Sequence, residues 1–327
     1  MQIGGKRLTS LTALAAGLLG ACGGRHDNTE TYVLVTANTR IAYWQDAVQG
    51  LQAAAREMGV KWEMVGPETY DPKAEKEEFV KAAGRQVHPA GILVSAADPA
   101  LMADAIDSAV ATGIPVITID ADSPKSKRLT FIGTNNYQAG QTGGEILVKE
   151  MMGKGNVVIY TMPGQRNLDE RLEGYKRVLA RSPGIKIVEV VDIAGDPTKA
   201  FDATKRMLVK GSTRPDGYVC LEALSCAEVA DVLNRDGIHD KTVIAMDTSE
   251  GTLNWMRKGM IRATIAQRPY TMAYFGTRVL DDFHHNKPAS AEANRNRSLT
   301  PVFIDTGATL VDKANLESFA APPVSTH

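Results

Sequence analysis

No apolar run in this 327-residue sequence is long enough to cross a membrane as a helix. The most apolar stretch, Leu8 to Leu19, has roughly a dozen residues, whereas a transmembrane helix needs about 20. It comes after the basic residues Lys6 and Arg7 and before small residues, which is typical of an export signal. We therefore expect residues 1–21 to be a signal peptide that is removed.

Cysteine is also scarce, and three cysteines are too few for a disulfide-rich scaffold. The segment Leu19-Gly20-Ala21-Cys22 resembles the bacterial lipobox, in which the cysteine is acylated and becomes the first residue of the mature protein. This predicts a lipid anchor to a membrane at Cys22, a linker over residues 22–31 and a place in the periplasm or cell envelope. A plain secretory signal with an incidental cysteine is the alternative.

Two cysteines, Cys220 and Cys226, remain for the folded part of the chain. We interpret them as two small buried side chains. A disulfide between them stays open, because an oxidising compartment permits it and only the separation of their Cα atoms decides the matter.

Neither sign of charge is in excess, since 37 Lys and Arg face 38 Asp and Glu, a net charge of −1. Losing Lys6 and Arg7 with the signal takes the net charge to −3. Surfaces that bind nucleic acid or anionic lipid are usually basic, so we expect no nucleic-acid partner.

The sequence also lacks common catalytic and nucleotide-binding motifs. It has no GxxxxGK[ST], no GxGxxG after the first predicted strand, no GxSxG and no HExxH. The glycines of GTNNYQAGQTGGE (133–145) fall on a helical pattern and indicate close packing. We therefore expect no cofactor, no metal site and no enzyme activity. The six histidines are scattered, and each is expected to face solvent: His26, His88, His239, His284, His285 and His327.

What the sequence does contain is a regular alternation of short β-branched runs with helical stretches. Alternation of this kind predicts parallel strands joined by crossover helices. Roughly 300 mature residues exceed what one hydrophobic core usually serves, so we predict an α/β protein with two doubly wound, Rossmann-like lobes. The predicted strands are YVLVTA (32–37), VKWEMV (60–65), GILVSA (91–96), PVITID (115–120), LTFIGT (129–134), NVVIYTM (156–162), IKIVEVV (185–191), GYVCLE (217–222), TVIAMD (242–247) and ATIAQ (263–267).

The chain is predicted to change lobe three times, near Thr134, Gln267 and Asp305, which makes a three-segment hinge. Sheets of this type bind ligands beyond the carboxyl ends of their strands. The lobes then comprise residues 32–134 with 268–304 and residues 135–267 with 305–318.

Polar side chains at strand ends and at one helix start are the candidate site: Asp120, Arg171, Asp247 and Gln267. Singly, such acids are often helix caps and such an arginine is usually solvated. Tyr43 and Trp44, which follow the first strand, add two aromatic rings. Together these groups suit a sugar, because carboxylates accept hydroxyl hydrogens, a guanidinium donates and a ring covers the C–H face.

Seven stretches occur in an order and spacing that point to one family: AYWQDAVQG, GILVSAADP, GIPVITID, FIGTNNYQAG, ERLEGY, VIAMD and ATIAQRPYTMAYFG. Over nearly the whole mature chain, the sequence resembles the ribose-binding type of periplasmic binding protein, which delivers sugars to ABC transporters. The resemblance implies the type I periplasmic binding protein fold. It also implies that Tyr43 and Trp44 enclose a sugar ring and that the hydroxyls are bound by Asp120, Arg171, Asp247 and Gln267.

Several positions depart from the ribose-binding pattern, and the segment IAYW lacks the Asn-Pro that often precedes the two aromatic residues. Ser95 and Glu222 stand where that family has asparagines, and Ala121 stands where it has an arginine. Ala121 is expected to open space and Glu222 to remove a hydrogen-bond donor, so ribose does not follow as the ligand. Another pentose, a hexose, a polyol or a furanosyl signal molecule stay open. Ser95 and Glu222 complete the predicted ligand-binding set.

The resemblance implies a monomeric solute-binding protein that closes on a sugar-like ligand and presents it to an ABC transporter permease. A sensory protein that reports a chemotaxis or quorum signal to a membrane receptor is the alternative. The effector domain of a transcription regulator shares this fold, but it needs an N-terminal helix-turn-helix where this chain has its lipobox-like segment.

Overall fold

The computed structural model describes residues 26–209, 214–286 and 301–319. The predicted signal peptide and Cys22 lie outside these ranges. Within them, no helix combines the length and the apolar character that crossing a membrane requires.

The first half of the chain builds a parallel sheet with helices on both faces. Proline in the first turn and an aspartate cap start two of these helices, since the Asp71 and Asp98 carboxylates each accept two backbone N–H groups. No helix separates the last two strands of this half. The elements are β1 (Thr31–Val35), α1 (Ala42–Met58), β2 (Lys61–Val65), α2 (Pro72–Ala83), β3 (Gly91–Val94), α3 (Pro99–Ala111), β4 (Val116–Ile119) and β5 (Phe131–Gly133).

The second half repeats this plan with a sheet of its own. Asp196 and Pro197 start one of its helices in a similar way, and the Asp196 carboxylate accepts from the Thr198 N–H. The elements are α4 (Asn136–Glu150), β6 (Gly155–Thr161), α5 (Arg166–Leu179), β7 (Ile185–Asp192), α6 (Pro197–Met207), β8 (Gly217–Cys220), α7 (Ser225–Arg235), β9 (Thr242–Met246), α8 (Glu250–Arg257) and β10 (Ala263–Ala266).

The end of the described chain contributes to both sheets. Helix α9 (Pro269–His285) returns to pack on α1 and the first sheet. Strand β11 (Phe303–Asp305) then pairs parallel with β5, and β12 (Thr309–Val311) pairs antiparallel with β10. A 3₁₀ turn (Leu316–Phe319) follows.

The strand order is the same in both sheets, β2-β1-β3-β4-β5-β11 and β7-β6-β8-β9-β10-β12. The chain therefore passes between the sheets three times, after β5, after β10 and after β11. These connections touch one another, since Thr134 Oγ1 donates to Gln267 Oε1 at 2.9 Å and the Asn135 N–H donates to Asp305 Oδ1 at 3.1 Å. The prediction of two doubly wound lobes joined by three segments is confirmed.

Helices α4 and α5 approach each other through glycines. A Cβ atom added at Gly140 would lie 2.1 Å from the Arg171 carbonyl oxygen, and one at Gly174 would lie 2.3 Å from the Tyr137 carbonyl oxygen. The interpretation of the GTNNYQAGQTGGE glycines as packing residues is confirmed. The close approach fixes the backbone of Arg171, which faces the cleft described below.

The two cysteines of the folded chain form a disulfide, so their interpretation as separate buried thiols is wrong. Both are buried as expected, with Cys220 at the end of β8 and Cys226 in the first turn of α7. The tight connection between strand and helix places their Cα atoms 5.7 Å apart, a separation that a disulfide can bridge.

Two of the histidines also differ from expectation. His26 and His285 are mostly buried, with 18% and 16% of their side chains exposed, and their ring centroids lie 4.9 Å apart. The helix α9 brings residue 285 back beside the start of β1, a contact that no local pattern predicts. With Glu30 and Asp281 they form a group of potential metal ligands, where the sequence predicted none.

Candidate functional site

A cleft lies between the two sheets, at the carboxyl ends of their parallel strands. Its empty space, counted with its opening to solvent, is about 600 Å³. The structure brings the whole predicted ligand-binding set to this cleft. The lining includes Tyr43, Trp44, Ser95, Asp120, Arg171, Glu222, Asp247 and Gln267.

Asp120 is the centre of the first-sheet side of the cleft. It follows β4 and is almost fully buried. Tyr43 Oη donates to its Oδ1 at 2.8 Å, and Ser95 Oγ donates to its Oδ2 at 3.3 Å. Tyr43 and Trp44, in the first turn of α1, pack edge to face with ring centroids 5.0 Å apart. One wall of the cleft therefore combines a carboxylate with aromatic surface.

Arg171 is the centre of the second-sheet side. Its side chain comes from α5, and the residue is 2% exposed. Nη1 donates to the Leu221 carbonyl at 2.7 Å, Nη2 to Gln267 Oε1 at 2.6 Å and Nε to Asn136 Oδ1 at 2.9 Å. Gln267 Nε2 in turn donates to Asp247 Oδ1 at 3.1 Å. This chain of hydrogen bonds fixes the guanidinium, the amide and the second carboxylate relative to one another.

Asp120 and Asp247 occupy equivalent places in the two sheets, and both have left-handed backbone conformations, with φ of 61° and 65°. Such conformations are costly for residues other than glycine and concentrate at functional sites. Neither acid caps a helix, because β4 leads to β5 and α8 is capped by Ser249. The helix-cap interpretation of these two acids is therefore excluded.

The two carboxyls lie in a water-poor cleft that opposes their ionisation. Burial raises the pKa of Asp120, and the nearby Arg171 guanidinium and the Tyr43 hydroxyl partly offset the increase. Burial raises the pKa of Asp247 to about 7, against the opposing effects of Arg171 and the Gln267 hydrogen bond. Burial and the neighbouring Asp120 and Asp247 carboxylates raise the pKa of Tyr43 well above 10. Tyr43 is therefore a neutral hydrogen-bond donor.

Glu222 lines the cleft, but its carboxylate is engaged in its own loop. The Leu224 N–H donates to Oε2 at 2.5 Å, and both the N–H and the hydroxyl of Ser225 donate to Oε1. The residue stabilises the start of α7, next to the disulfide between Cys220 and Cys226. Ala121, where extra space was expected, is fully buried and is not part of the cleft lining.

Three side chains that the sequence did not single out join the two sides of the cleft. Asn167 Nδ2 donates to Asp120 Oδ2 at 3.2 Å, and Gln165 Nε2 donates to Tyr70 Oη at 3.1 Å. Asn167 lies one helical turn before Arg171 on α5, so helical spacing could have indicated it. Tyr70 follows β2, but its partner comes from the other sheet, and no local signal predicts that contact.

The described lining of the cleft includes no histidine, cysteine or lysine. It does offer paired carboxylates, amides, a guanidinium and aromatic faces, which match the hydroxyls and C–H faces of a sugar.

Solved structures share this architecture. The arabinose-binding protein AraP from Geobacillus stearothermophilus is 30% identical, with a TM-score of 0.75 over 90% of this chain and 100% of that chain. A solute-binding protein of an ABC transporter from Burkholderia graminis C4D1M, in complex with D-arabinose, is 30% identical, with a TM-score of 0.81 over the same shares.

Curated sequences point the same way. The ribose import binding protein of Bacillus subtilis (strain 168) is 23% identical over 248 residues, 73% of this chain and 76% of the relative. The D-apiose import binding protein of Paraburkholderia graminis is 29% identical over 173 residues, 50% of this chain and 53% of that relative. The family model described as periplasmic binding protein domain matches residues 32–287. With its two parallel-sheet lobes and the cleft between them, this chain belongs to the periplasmic binding protein family.

Proposed function

We propose that this protein binds a sugar or sugar-like ligand in its cleft and delivers it to the permease of an ABC transporter. The observation that carries the proposal is the meeting of two hydrogen-bonded groups in the cleft. Arg171, Gln267 and Asp247 are linked on one side, and Asp120 is bonded to Tyr43 beside the Trp44 ring on the other. Charge-assisted hydrogen bonds of this kind contribute roughly 1.5–3 kcal/mol each. Three or four of them, less the cost of ordering, give a micromolar complex at about −8 kcal/mol.

The ligand class that we propose is a pentose. Relatives named for ribose, D-apiose and arabinose support it. The cleft supports a small ligand too, because Ala121 adds no space to it and Ser95 already donates to Asp120.

Mass spectrometry of small molecules released by denaturing the purified protein tests the ligand class. Titration calorimetry with ribose, arabinose and apiose then measures each affinity. We expect one pentose to bind at micromolar concentration or tighter and to be recovered unchanged. Absence of a released sugar together with no heat from any of the three would contradict the proposal, and recovery of an altered sugar would show catalysis.

Delivery to a permease is tested separately from binding. Deleting the gene should abolish uptake of the identified sugar by the cell, and a plasmid copy should restore it. Unchanged uptake with a lost response to the sugar would favour the sensory alternative.

We also propose that the lobes have the boundaries given by the sequence, that the protein is a monomer and that Cys22 carries lipid.

The lipid anchor is tested by the variant Cys22→Ser. This variant should lack the mass of the acyl chains and should move from the membrane to the soluble envelope fraction, because the anchoring thiol is gone. Intact mass and cell fractionation measure this. The control is the double variant Cys220→Ser with Cys226→Ser, which keeps Cys22 and leaves no free thiol from the disulfide. A wild-type protein that is soluble and begins at another residue would contradict the anchor.

A further inference from the structure

A group of four side chains lies at the end of the first sheet opposite the cleft. His26 and Glu30 precede β1, and Asp281 and His285 stand one turn apart at the end of α9. None of the four lines the cleft. Sugar binding therefore gives no reason for them to lie together.

The donor atoms of this four-residue group face one another at short range. His26 Nδ1 lies 3.2 Å from His285 Nε2, 3.4 Å from Glu30 Oε2 and 3.3 Å from Asp281 Oδ1. His285 Nε2 lies 3.1 Å from Glu30 Oε2 and 3.4 Å from Asp281 Oδ1. A tetrahedral zinc ion, about 2.0–2.1 Å from each ligand, holds its ligand atoms about 3.3–3.4 Å apart. The five separations are close to the edges of that tetrahedron.

Neighbouring groups orient the two carboxylates toward the histidines. Tyr32 Oη donates to Asp281 Oδ1 at 3.0 Å, and the Asp27 N–H donates to Glu30 Oε1 at 2.7 Å, which leaves Glu30 Oε2 for the histidines. Supporting hydrogen bonds of this kind are usual behind metal ligands. The side chains of Glu30 and Asp281 are each 9% exposed, so the group is mostly covered but open to an entering ion.

The electrostatics of the group also suit a cation. Two carboxylates, those of Glu30 and Asp281, face the two imidazoles. Without a cation, two ring nitrogens and two carboxylate oxygens face one another, and a proton shared between two of them satisfies only part of the set. A divalent ion satisfies all four at once.

We propose that His26, Glu30, Asp281 and His285 form a binding site for a zinc ion. Two imidazole nitrogens and two carboxylate oxygens are ligands that zinc accepts in tetrahedral geometry, whereas calcium and magnesium prefer oxygen ligands alone. The ion fastens the segment before β1 to the end of α9. His26 is four positions after Cys22 in the sequence, so the site braces the point where the proposed lipid anchor joins the first lobe.

The test uses the mature protein, purified without a polyhistidine tag and stripped of metal with a chelator. Competition with a chromophoric zinc chelator should give one tight site per chain, and cobalt(II) should give the intense visible absorption of a tetrahedral complex. His285→Ala and Asp281→Asn should each weaken zinc binding by at least about 100-fold. His88→Ala, which removes an exposed histidine outside the group, should leave it unchanged.

A thermal melt gives an independent readout, because zinc should raise Tm by several degrees in the wild type and in His88→Ala but not in His285→Ala. Sugar titration of each variant checks that it is folded. Zinc affinity that is equal in His285→Ala and the wild type, or no tight zinc site in the wild type, would overturn the proposal and leave the four residues as a network of histidine–carboxylate hydrogen bonds.

Discussion

At the scale of single residues, the carboxyl of Asp247 couples the stability of the protein to pH. Its pKa is about 7 in the fold, compared with about 3.9 for an aspartate in an unfolded chain. A carboxyl whose pKa is raised on folding stabilises the fold below the unfolded value, and this stability is lost as pH rises through the folded value. The contribution of Asp247 should therefore lower the Tm of the unliganded protein as the pH rises from about 4 to about 7.

The variant Asp247→Asn isolates this effect. Asparagine tolerates the left-handed backbone of this position and can still accept from Gln267, but it does not ionise. We expect a higher Tm than that of the wild type above neutral pH and an equal Tm in acid. Melts across this pH range, with the exposed Asp202→Asn as control, measure the difference; parallel curves for wild type and Asp247→Asn would contradict it.

Arg171 is the residue whose loss should affect both binding and folding. Arg171→Ala leaves the Leu221 carbonyl, Gln267 and Asn136 without their donor. A buried group left unpaired costs roughly 1–3 kcal/mol, so we expect the free energy of unfolding to fall by about 2–4 kcal/mol and the sugar affinity to fall at least about 30-fold. Denaturant unfolding and calorimetry measure the two effects.

Arg166→Ala is the matched control, because Arg166 lies on the same helix but is about half exposed in an ion pair with Glu170. It should change stability by less than about 0.5 kcal/mol. Equal stability of Arg171→Ala and Arg166→Ala would show that the three buried hydrogen bonds contribute nothing to the fold.

The residues of the cleft show what sequence can predict at this scale. Asp120, Asp247 and Gln267 could be found because each directly follows a strand, and the carboxyl ends of parallel strands meet at one edge. The hydrogen bonds of Arg171 could not be found, since its partners Leu221, Gln267 and Asn136 follow β8, follow β10 and start α4, and only the folded chain brings them together. Glu222 was predicted as a ligand contact because it stands where the ribose-binding type has an asparagine. The hydrogen bonds that occupy its carboxylate could not be predicted, because they depend on the turn into α7.

At the scale of elements, the disulfide fastens the end of β8 to the start of α7. The two cysteines are separated by six positions, and closing so short a loop in the unfolded chain stabilises the fold by about 2 kcal/mol. Replacing both, Cys220→Ser with Cys226→Ser, should lower Tm by several degrees. It should also weaken sugar binding modestly, because the intervening loop carries Glu222 and the Leu221 carbonyl that holds Arg171.

Thermal melts with and without a reducing agent test the disulfide. The wild type should lose Tm on reduction, and the double variant should not respond. Thiol labelling of the unfolded, unreduced protein should find neither of the two cysteines free. Labelling of both would restore the interpretation as separate buried thiols.

Regular elements were the most predictable level of this structure, because the β-branched runs and the helical spacing are repeated along the chain. The Asp-Pro pairs at 71–72, 98–99 and 196–197 start helices through side-chain caps that involve only neighbouring residues. Pairing of distant elements was harder to foresee. The end of α9 contacts the segment before β1 and brings residues 26 and 285 together. No local sequence pattern predicts this contact.

At the scale of the whole molecule, contacts across the cleft hold the two sheets in a closed arrangement. Asn167 donates to Asp120, and Gln165 donates to Tyr70 at the cleft edge. A ligand that binds both sides should favour this arrangement, whereas the empty protein should open about the three connections. We therefore expect saturating sugar to reduce the radius of gyration in solution scattering by more than its error.

Arg171→Ala is the control for that experiment, at a sugar concentration just high enough to saturate the wild type, where the weaker variant should be mostly unliganded. Its scattering curve should be the same with and without sugar. A wild-type curve that does not respond to saturating ligand would show that the cleft is rigid.

The last two strands of the described chain have a consequence for how the protein is made. Residues 303–311 complete both sheets, so neither lobe has all of its strands until nearly the whole sequence has been translated. At about 5–20 residues per second, the N-terminus leaves the ribosome well before those strands exist. If residues 1–21 are the signal peptide that the sequence predicts, they engage the export machinery while the chain is still short of its complete fold, and the order of the strands then favours export over folding before export.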